Sequence, residues 1–351
     1  MDGQRREPQA RVIINARAGF LSSVRNPAFS VRGRFYSRSA DESSPSRGAL
    51  KVRTLAAMSY TMTDPRTKYP SLPDPPDPHT DQPGLTSETF PRPDHGEESY
   101  RGAGRLPDRR ALITGGDSGI GRAVAIAFAR EGANVALNYL PEEQEDAEET
   151  ARWVREAGAE ALLLPGDVTD EQQCYDIVAD AAEAFGGLDI LVLNAGYQRN
   201  RPEVDQLPTE EFDRVMHTNL YAPFWLSQAA LPRMAPGSSI IVTTSIQAYN
   251  SSPALFDYAL TKTALVSFVQ MLAEQQGPHG IRVNGVAPGP IWTPLIPATG
   301  WPDKLPTFGD DTPLGRAGQP AELAGAYVYL ASEDASYVSG GILPVTGGKP
   351  L

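Results

Sequence analysis

The feature that most constrains this chain is the run Thr114-Gly115-Gly116-Asp117-Ser118-Gly119-Ile120-Gly121, set between a short apolar segment at 111–114 and an amphipathic stretch that begins at 120. Glycines so placed let a strand turn sharply into a helix. Gly115 permits the turn, Gly119 lacks the Cβ that would hold a pyrophosphate at a distance, and Gly121 lets helix and strand pack closely. Free amides and a partial positive charge at the helix start then face any bound phosphate. Glycines also make ordinary turns; what marks this run is its place, with a strand before it and a helix after it at the head of a series of similar units.

From Arg109 onward the chain repeats that unit. Apolar runs at 111–114, 134–138, 161–165, 190–194, 239–243, 282–286 and 342–345 read as strands. Helical patterns fill the gaps at 120–131, 143–157, 171–185, 209–219, 222–234, 257–276 and 320–331. Such alternation predicts an α/β fold, a single Rossmann-like doubly wound parallel sheet with helices on both faces, over residues 108–351. A chain of 351 residues can bury one such core with appendages, but hardly two.

Two appendages precede it. Residues 1–57 hold eleven basic side chains, from Arg5 to Arg53, against Asp2, Glu7, Asp41 and Glu42. This Arg- and Ser-rich, acid-poor composition is that of an organellar transit peptide. Arg34-Phe35-Tyr36-Ser37 resembles a mitochondrial processing site. A disordered basic tail, or a true start at Met58 or Met62, reads the segment as well, which leaves the compartment between cytoplasm and mitochondrion. Residues 58–107 form a Pro-rich extended arm, in which prolines from Pro65 to Pro93 remove backbone donors and forbid a helix or central strand. The stretch is either a solvated linker or an arm lying on the domain or on a neighbouring subunit.

Composition excludes several classes. A net charge of −12 lacks the basic footprint of a nucleic-acid partner. The single Cys174 allows no internal disulfide and no cysteine zinc site; His79, His95, His217 and His279 are too scattered for a metal cluster, so no metal is expected. No apolar run approaches the ~18 residues of a membrane span, so no membrane partner is expected either.

The chemistry-bearing residues lie far downstream. Tyr258 and Lys262, four apart in a helical pattern, share a face. A lysine beside a phenol favours the phenolate and brings the tyrosine toward the range of a general acid or base. Ser245 follows the apolar run Ile240-Ile241-Val242-Thr243-Thr244, where its hydroxyl can stabilise charge growing on a carbonyl oxygen. A Tyr-Lys pair by itself is an ordinary solvated helix face; Ser245, the glycine run and the strand order together favour the chemical reading.

These motifs, over about residues 100–348, resemble the short-chain dehydrogenase/reductase superfamily, in the set with a TGxxxGIG loop and YxxxK. The resemblance implies that Gly115, Asp117, Ser118, Gly119, Ile120 and Gly121 receive the phosphates of NAD or NADP, with Asn138 at the end of the second strand. It implies that Asp167 and Val168 meet the adenine and that Asn194-Ala195-Gly196 stabilises the sheet near the adenine ribose. Pro288, Gly289, Ile291 and Thr293, in Pro288-Gly289-Pro290-Ile291-Trp292-Thr293, hold the nicotinamide carboxamide. Asn219 in Thr218-Asn219-Leu220 completes a tetrad with Ser245, Tyr258 and Lys262. In it Tyr258 exchanges the proton with an alcohol or carbonyl substrate, Lys262 holds the ribose and lowers the Tyr258 pKa, Ser245 polarises the substrate, and Asn219 organises a water path. No metal takes part. A homo-tetramer built on helices 222–234 and 257–276 is also implied. The Pro-rich arm, Pro93-Asp94-His95-Gly96-Glu97-Glu98-Ser99-Tyr100 and Asp117 are similar, more narrowly, to a bacterial and fungal branch of aldehyde reductase-like and general-stress oxidoreductases.

Cofactor preference is set after the second strand, where Asn138-Tyr139-Leu140-Pro141-Glu142-Glu143 offers no Lys or Arg and two carboxylates. Those carboxylates would repel a 2'-phosphate if they point inward, which favours NAD, with NADP the alternative; a solvated helix start favoured by the dipole reads them equally well. The substrate, a small carbonyl or alcohol such as an aldehyde, ketone or polyol, is expected to meet Gln247, Tyr249 and an apolar lid of Trp292, Trp301 and Phe308. Rival readings are a dehydratase or epimerase on the same fold and a catalytically silent nucleotide sensor. Intact Asn219, Ser245, Tyr258 and Lys262 argue against the sensor.

Overall fold

The computed structural model describes residues 62–73 and 81–351; the basic segment with Arg34-Phe35-Tyr36-Ser37 and Met58 lies outside the described residues. Seven strands form one parallel sheet: β1 Arg110–Thr114, β2 Asn134–Tyr139, β3 Ala161–Pro165, β4 Leu188–Leu193, β5 Met234–Thr243, β6 Arg282–Pro288 and β7 Ile342–Val345, in the order β3-β2-β1-β4-β5-β6-β7. Parallel strands covered on both faces must be apolar throughout, and β4, Leu188 to Leu193, is buried along its whole length. Its one charge, Asp189, is matched by Arg110 of β1, whose Nε lies 2.7 Å from the carboxylate.

Helices α1 (Gly119–Arg130), α2 (Gln144–Glu156) and α7 (Ala321–Ala331) contribute to one apolar cluster, which includes Val124, Phe128, Val154, Leu323 and Val328. Helices α3 (Glu171–Phe185), α5 (Ala222–Ala230) and α6 (Phe256–Gln276) supply a second, with Ile177, Leu226, Leu265 and Val269. Local sequence sets the ends of α3: Asp170 accepts the Gln173 amide at its start, and Gly186, at φ 72°, closes it in the left-handed conformation. The doubly wound α/β architecture is the one expected.

Element boundaries differ in two places. The helix expected at 222–234 stops at Ala230; a short turn at Leu231–Arg233 contains Pro232, and Met234 already pairs with Leu188. Upstream, α4 (Thr209–Met216) does not break before α5 but runs into it through a single π turn, His217–Tyr221, which carries Asn219. Such a turn widens the helix by one residue and often marks a functional position.

Strand order reverses between β1 and β4. A crevice therefore opens at their carboxyl ends, where Gly115 and Asn194 follow the two strands. Residues 82–106 lie on the same domain. Arg130 at the end of α1 donates to the Gly96 and Tyr100 carbonyls, and the buried Glu131 carboxylate accepts from the Ala103 and Arg105 amides. Among the described residues no helix is long and apolar enough to cross a membrane.

Candidate active site

One cavity of about 600 Å³ occupies the crevice, a size typical of a cofactor and small-substrate site. Its wall includes Gly115, Asp117, Ser118, Gly119, Ile120, Asn138, Asp167, Val168, Asn194, Ala195 and Gly196 at one end, and Ser245, Tyr258, Lys262, Pro288, Gly289, Ile291 and Thr293 at the other. Gly121 and Asn219 stand behind that wall.

The nucleotide end follows from glycine sterics. Gly115 has φ +58° and makes the turn out of β1. A Cβ at Gly121 would lie 1.8 Å from the Gly115 carbonyl oxygen, so this glycine serves the packing of α1 on β1. Gly119, at φ +49°, lets the helix start approach the far loop: a Cβ there would stand 3.2 Å from the Thr293 side chain. Asn194 locks the arrangement by donating through Nδ2 to the carbonyls of Thr114 and Gly115, each at 3.1 Å. Asn138 donates to the Leu164 and Gly166 carbonyls, which ties β2 to the chain after β3.

Behind the loop, the guanidinium of the fully buried Arg122 reaches Asp146 at 2.8 Å and Glu149 at 2.9 Å, and its Nε donates to the Asp117 carbonyl. It is thus committed to the protein. Asp117 contributes to the wall but is 1% exposed, with Oδ2 buried and unpartnered among the described residues. Burial, with the Asp146 charge adding to it, pushes its pKa up to about 6. Glu143 accepts from the Leu140 amide; burial and then the Asp117 charge push its pKa up to about 8. A glycine-rich loop that opens a helix on the cavity wall fits a bound dinucleotide.

The chemical end is built from buried side chains. Tyr258, Lys262 and Ser245 are 9%, 3% and 6% exposed. Tyr258 and Lys262 leave one face of α6, with Lys262 Nζ 5.4 Å from the tyrosine ring centre and donating to the Thr243 carbonyl at 2.8 Å. Burial pushes Tyr258 up to about 12 against a hydrogen bond with Ser245, and burial pulls Lys262 down to about 7. Both shifts have one cause, since desolvation penalises the phenolate and the ammonium alike.

Asn219 spends its side chain behind the wall. Nδ2 donates to the Tyr197 carbonyl and to Thr261, and Oδ1 accepts from the Tyr197 amide. The amide fixes the segment after Asn194-Ala195-Gly196 and leaves no free N–H for a water.

Of the expected substrate residues, Gln247, Trp301 and Phe308 line the cavity. Tyr249 does not line it and is 40% exposed. Trp292 turns inward instead, 1% exposed, packing with Ile296, Leu305 and Ala317. Sequence reasoning missed Thr243, which links both ends: its hydroxyl contacts Asn194 at 3.1 Å and Tyr327 at 2.8 Å, and its carbonyl takes Lys262. It also missed Gln82, Pro83 and Gly84 of the arm, which form part of the wall. A threonine within an apolar strand was the available signal for the first; a proline-rich stretch has no periodicity to reveal the second.

A phosphate-receiving loop and a buried Tyr-Lys-Ser set on one cavity define a dinucleotide-dependent oxidoreductase site. Similarity to known proteins agrees. A family model described as enoyl-(acyl carrier protein) reductase matches residues 115–349. The oxidoreductase YghA of Escherichia coli is 51% identical over 293 residues, covering 83% of this chain and 96% of that protein. NADPH-dependent aldehyde reductase 1 of Arabidopsis thaliana, a chloroplastic protein, is 43% identical, covering 76% and 95%. A short-chain dehydrogenase from Burkholderia cenocepacia, solved in complex with NADP, superposes with a TM-score of 0.66 at 34% identity, covering 70% and 98%. The chain belongs to the short-chain dehydrogenase/reductase superfamily and is an NAD(P)-dependent oxidoreductase.

The expected preference for NAD gains no support from these relatives, one of which is named for NADPH and another solved with NADP. Glu142 is exposed and does not line the cavity; Glu143 does line it, with its pKa raised by burial to about 8.

Proposed function

We propose that the protein transfers a hydride between NADPH and the carbonyl of an aldehyde or small ketone, with Tyr258 exchanging the proton with the substrate oxygen. The observation that carries this reading is the convergence of Tyr258, Lys262 and Ser245, all buried, on the cavity whose other end is the glycine loop. When bound, the nicotinamide supplies or accepts the hydride. The remaining work falls to the protein. The Ser245 hydroxyl, held in place by the Gln247 amide at 3.1 Å, polarises the carbonyl as charge develops on its oxygen. Tyr258 starts protonated, since burial holds its hydroxyl near 12, and so stands ready as the acid in reduction. Lys262, released from the Thr243 carbonyl, holds the ribose hydroxyls and stabilises the phenolate left behind. Asn219 positions the Tyr197 backbone beside Lys262: a Cβ at Gly196 would come within 3.8 Å of both Asn219 Oδ1 and Lys262 Nζ.

The same reading carries assembly as a homo-tetramer. Tyr221 and Phe224 before and on α5, and Leu260 and Met271 on α6, are each 45% exposed or more, an unusual set of large apolar groups to leave in water. Helices presented in this way fit isologous contacts with a second copy.

The test is loss of reduced-nicotinamide absorbance on a panel of aldehydes and ketones, with NADPH and NADH compared. Turnover that Tyr258→Phe removes supports the reading. Dinucleotide binding with no turnover on any carbonyl contradicts it.

A further inference from the structure

The arm makes three contacts with the chain that roofs the substrate end. Gln82 Nε2 donates to the Ala298 carbonyl at 2.9 Å. At Gly84 the two backbones meet so closely that a Cβ would stand 2.4 Å from the Pro294 carbonyl oxygen. Trp292 Nε1 donates to the Pro91 carbonyl at 2.7 Å.

Gln82 also donates to the Gln198 carbonyl at 3.2 Å, in the segment that follows Asn194-Ala195-Gly196. Gln198 in turn donates to the Thr299 hydroxyl at 2.8 Å, and the Asn200 amide donates to the Thr299 carbonyl at 2.8 Å. Arm, β4 loop and roof therefore meet in one knot at the cavity edge, where Gln82, Gln198 and Ile296 all line the wall. The roof packs apart from the two main cores: Trp292 and Ile296 form a small apolar cluster with Leu305 and Ala317, and the Trp292 amide donates to the Gly318 carbonyl. Further along, Thr86 N donates to Asp146 and Arg92 pairs with Glu149, so the arm is anchored on α2 as well as on the roof.

We propose that Gln82 is a positioning residue that clasps the roof, residues 292–299, over the substrate end and thereby sets substrate affinity and the bulk of carbonyl admitted, without acting in hydride transfer. Both of its amide hydrogens are used, one on each side of the opening. The Gln82 side chain thus ties the arm to both loops at the point where Gln198 and Asn200 already bond Thr299. Substrate discrimination then depends on a segment that precedes the Rossmann domain in sequence. The proposal rests on the carbonyl-reducing reading above for its kinetic consequence, but not for the clasp itself.

The experiment uses the full chain and two variants, Gln82→Leu, which keeps the bulk and loses both donors, and Gly84→Val, which forces the arm off Pro294. Steady-state kinetics on small and bulky aldehydes are measured beside NADPH affinity by fluorescence and hydrogen exchange across 196–200 and 292–300. Gln82→Leu is expected to raise KM by about tenfold, the size of two lost hydrogen bonds to carbonyls. It should narrow the gap between small and bulky substrates, leave kcat and NADPH affinity within about twofold, and speed exchange in those two segments alone. Gly84→Val should move the same readouts in the same direction. Unchanged exchange at 292–300 in both variants overturns the clasp, as does a fall in kcat and NADPH affinity in step with KM. If the unaltered protein turns over no carbonyl, the functional reading has failed and the exchange data still decide the clasp.

Discussion

The two ends of the cavity are built in different ways. At the nucleotide end every side of the wall is the end of a strand or the start of a helix, and its shape is set by backbone geometry at Gly115, Gly119 and Gly121 and by Asn194 bonding the first two carbonyls of the loop. At the substrate end the wall is loop and arm, held by side chains that cross long stretches of sequence, such as Gln82 to Ala298 and Trp292 to Pro91. The first construction tolerates little change where backbone meets backbone, as at Gly121, whose Cβ would lie 1.8 Å from the Gly115 carbonyl oxygen. The second can be altered one hydrogen bond at a time, which is how one fold serves many substrates.

Perturbing each end should expose that difference. The largest effect is expected where chemistry meets the rigid frame: Tyr258→Phe should lower kcat by about 10²- to 10⁴-fold, the usual worth of a general acid, with dinucleotide affinity unchanged by fluorescence titration. Ser245→Ala should lower kcat by about 10²-fold or more through the lost donor to the developing oxyanion, read from the same assay. Arg122→Ala removes the cation that Asp146 and Glu149 share in the interior and should cost about 3–5 kcal/mol in denaturant unfolding. Were the nucleotide end as forgiving as the substrate end, that variant would unfold at nearly the same denaturant concentration as the parent.

The smallest effect is one of pH. Asp117 and Glu143 have pKa values raised to about 6 and about 8, so both gain negative charge as the pH climbs from below 6 to above 8. New anions on the cavity wall oppose a 2'-phosphate more than a 2'-hydroxyl. The Kd for NADPH should therefore rise relative to that for NADH across this window, by about three- to tenfold, and Glu143→Gln should flatten the upper part of the change. The same protons act on stability with a definite sign. Because these acids hold protons in the folded state that they release when unfolded, stability is greatest below their unfolded pKa values and declines as pH rises through the folded ones.

What could be read in the sequence follows the same division. Apolar runs and the glycine spacing identify the strands, the helix starts and the loop, because period and turn chemistry are local. Ser245, Tyr258 and Lys262 could be placed on one wall since a strand end and a helix face fix where they point. Asn219 was found by its motif, yet its side chain is consumed by Tyr197 and Thr261, and the π turn that carries it leaves no mark in the amphipathic pattern. Trp292 was expected over the substrate and packs inward instead, as nothing in a loop sequence says which aromatic is anchor and which is wall. The lean to NAD depends on whether Glu142 and Glu143 point inward, which a sequence does not say; Glu142 is exposed and off the cavity wall, while Glu143 lines it.

The central claim is that both ends serve one reaction, and its most direct measurement is single-turnover oxidation of enzyme-bound NADPH on adding aldehyde, for the parent and Tyr258→Phe at equal dinucleotide saturation. The account predicts rapid loss of the reduced-nicotinamide signal in the parent and a rate lower by about 10²-fold or more in the variant. Equal rates in the two proteins would contradict it.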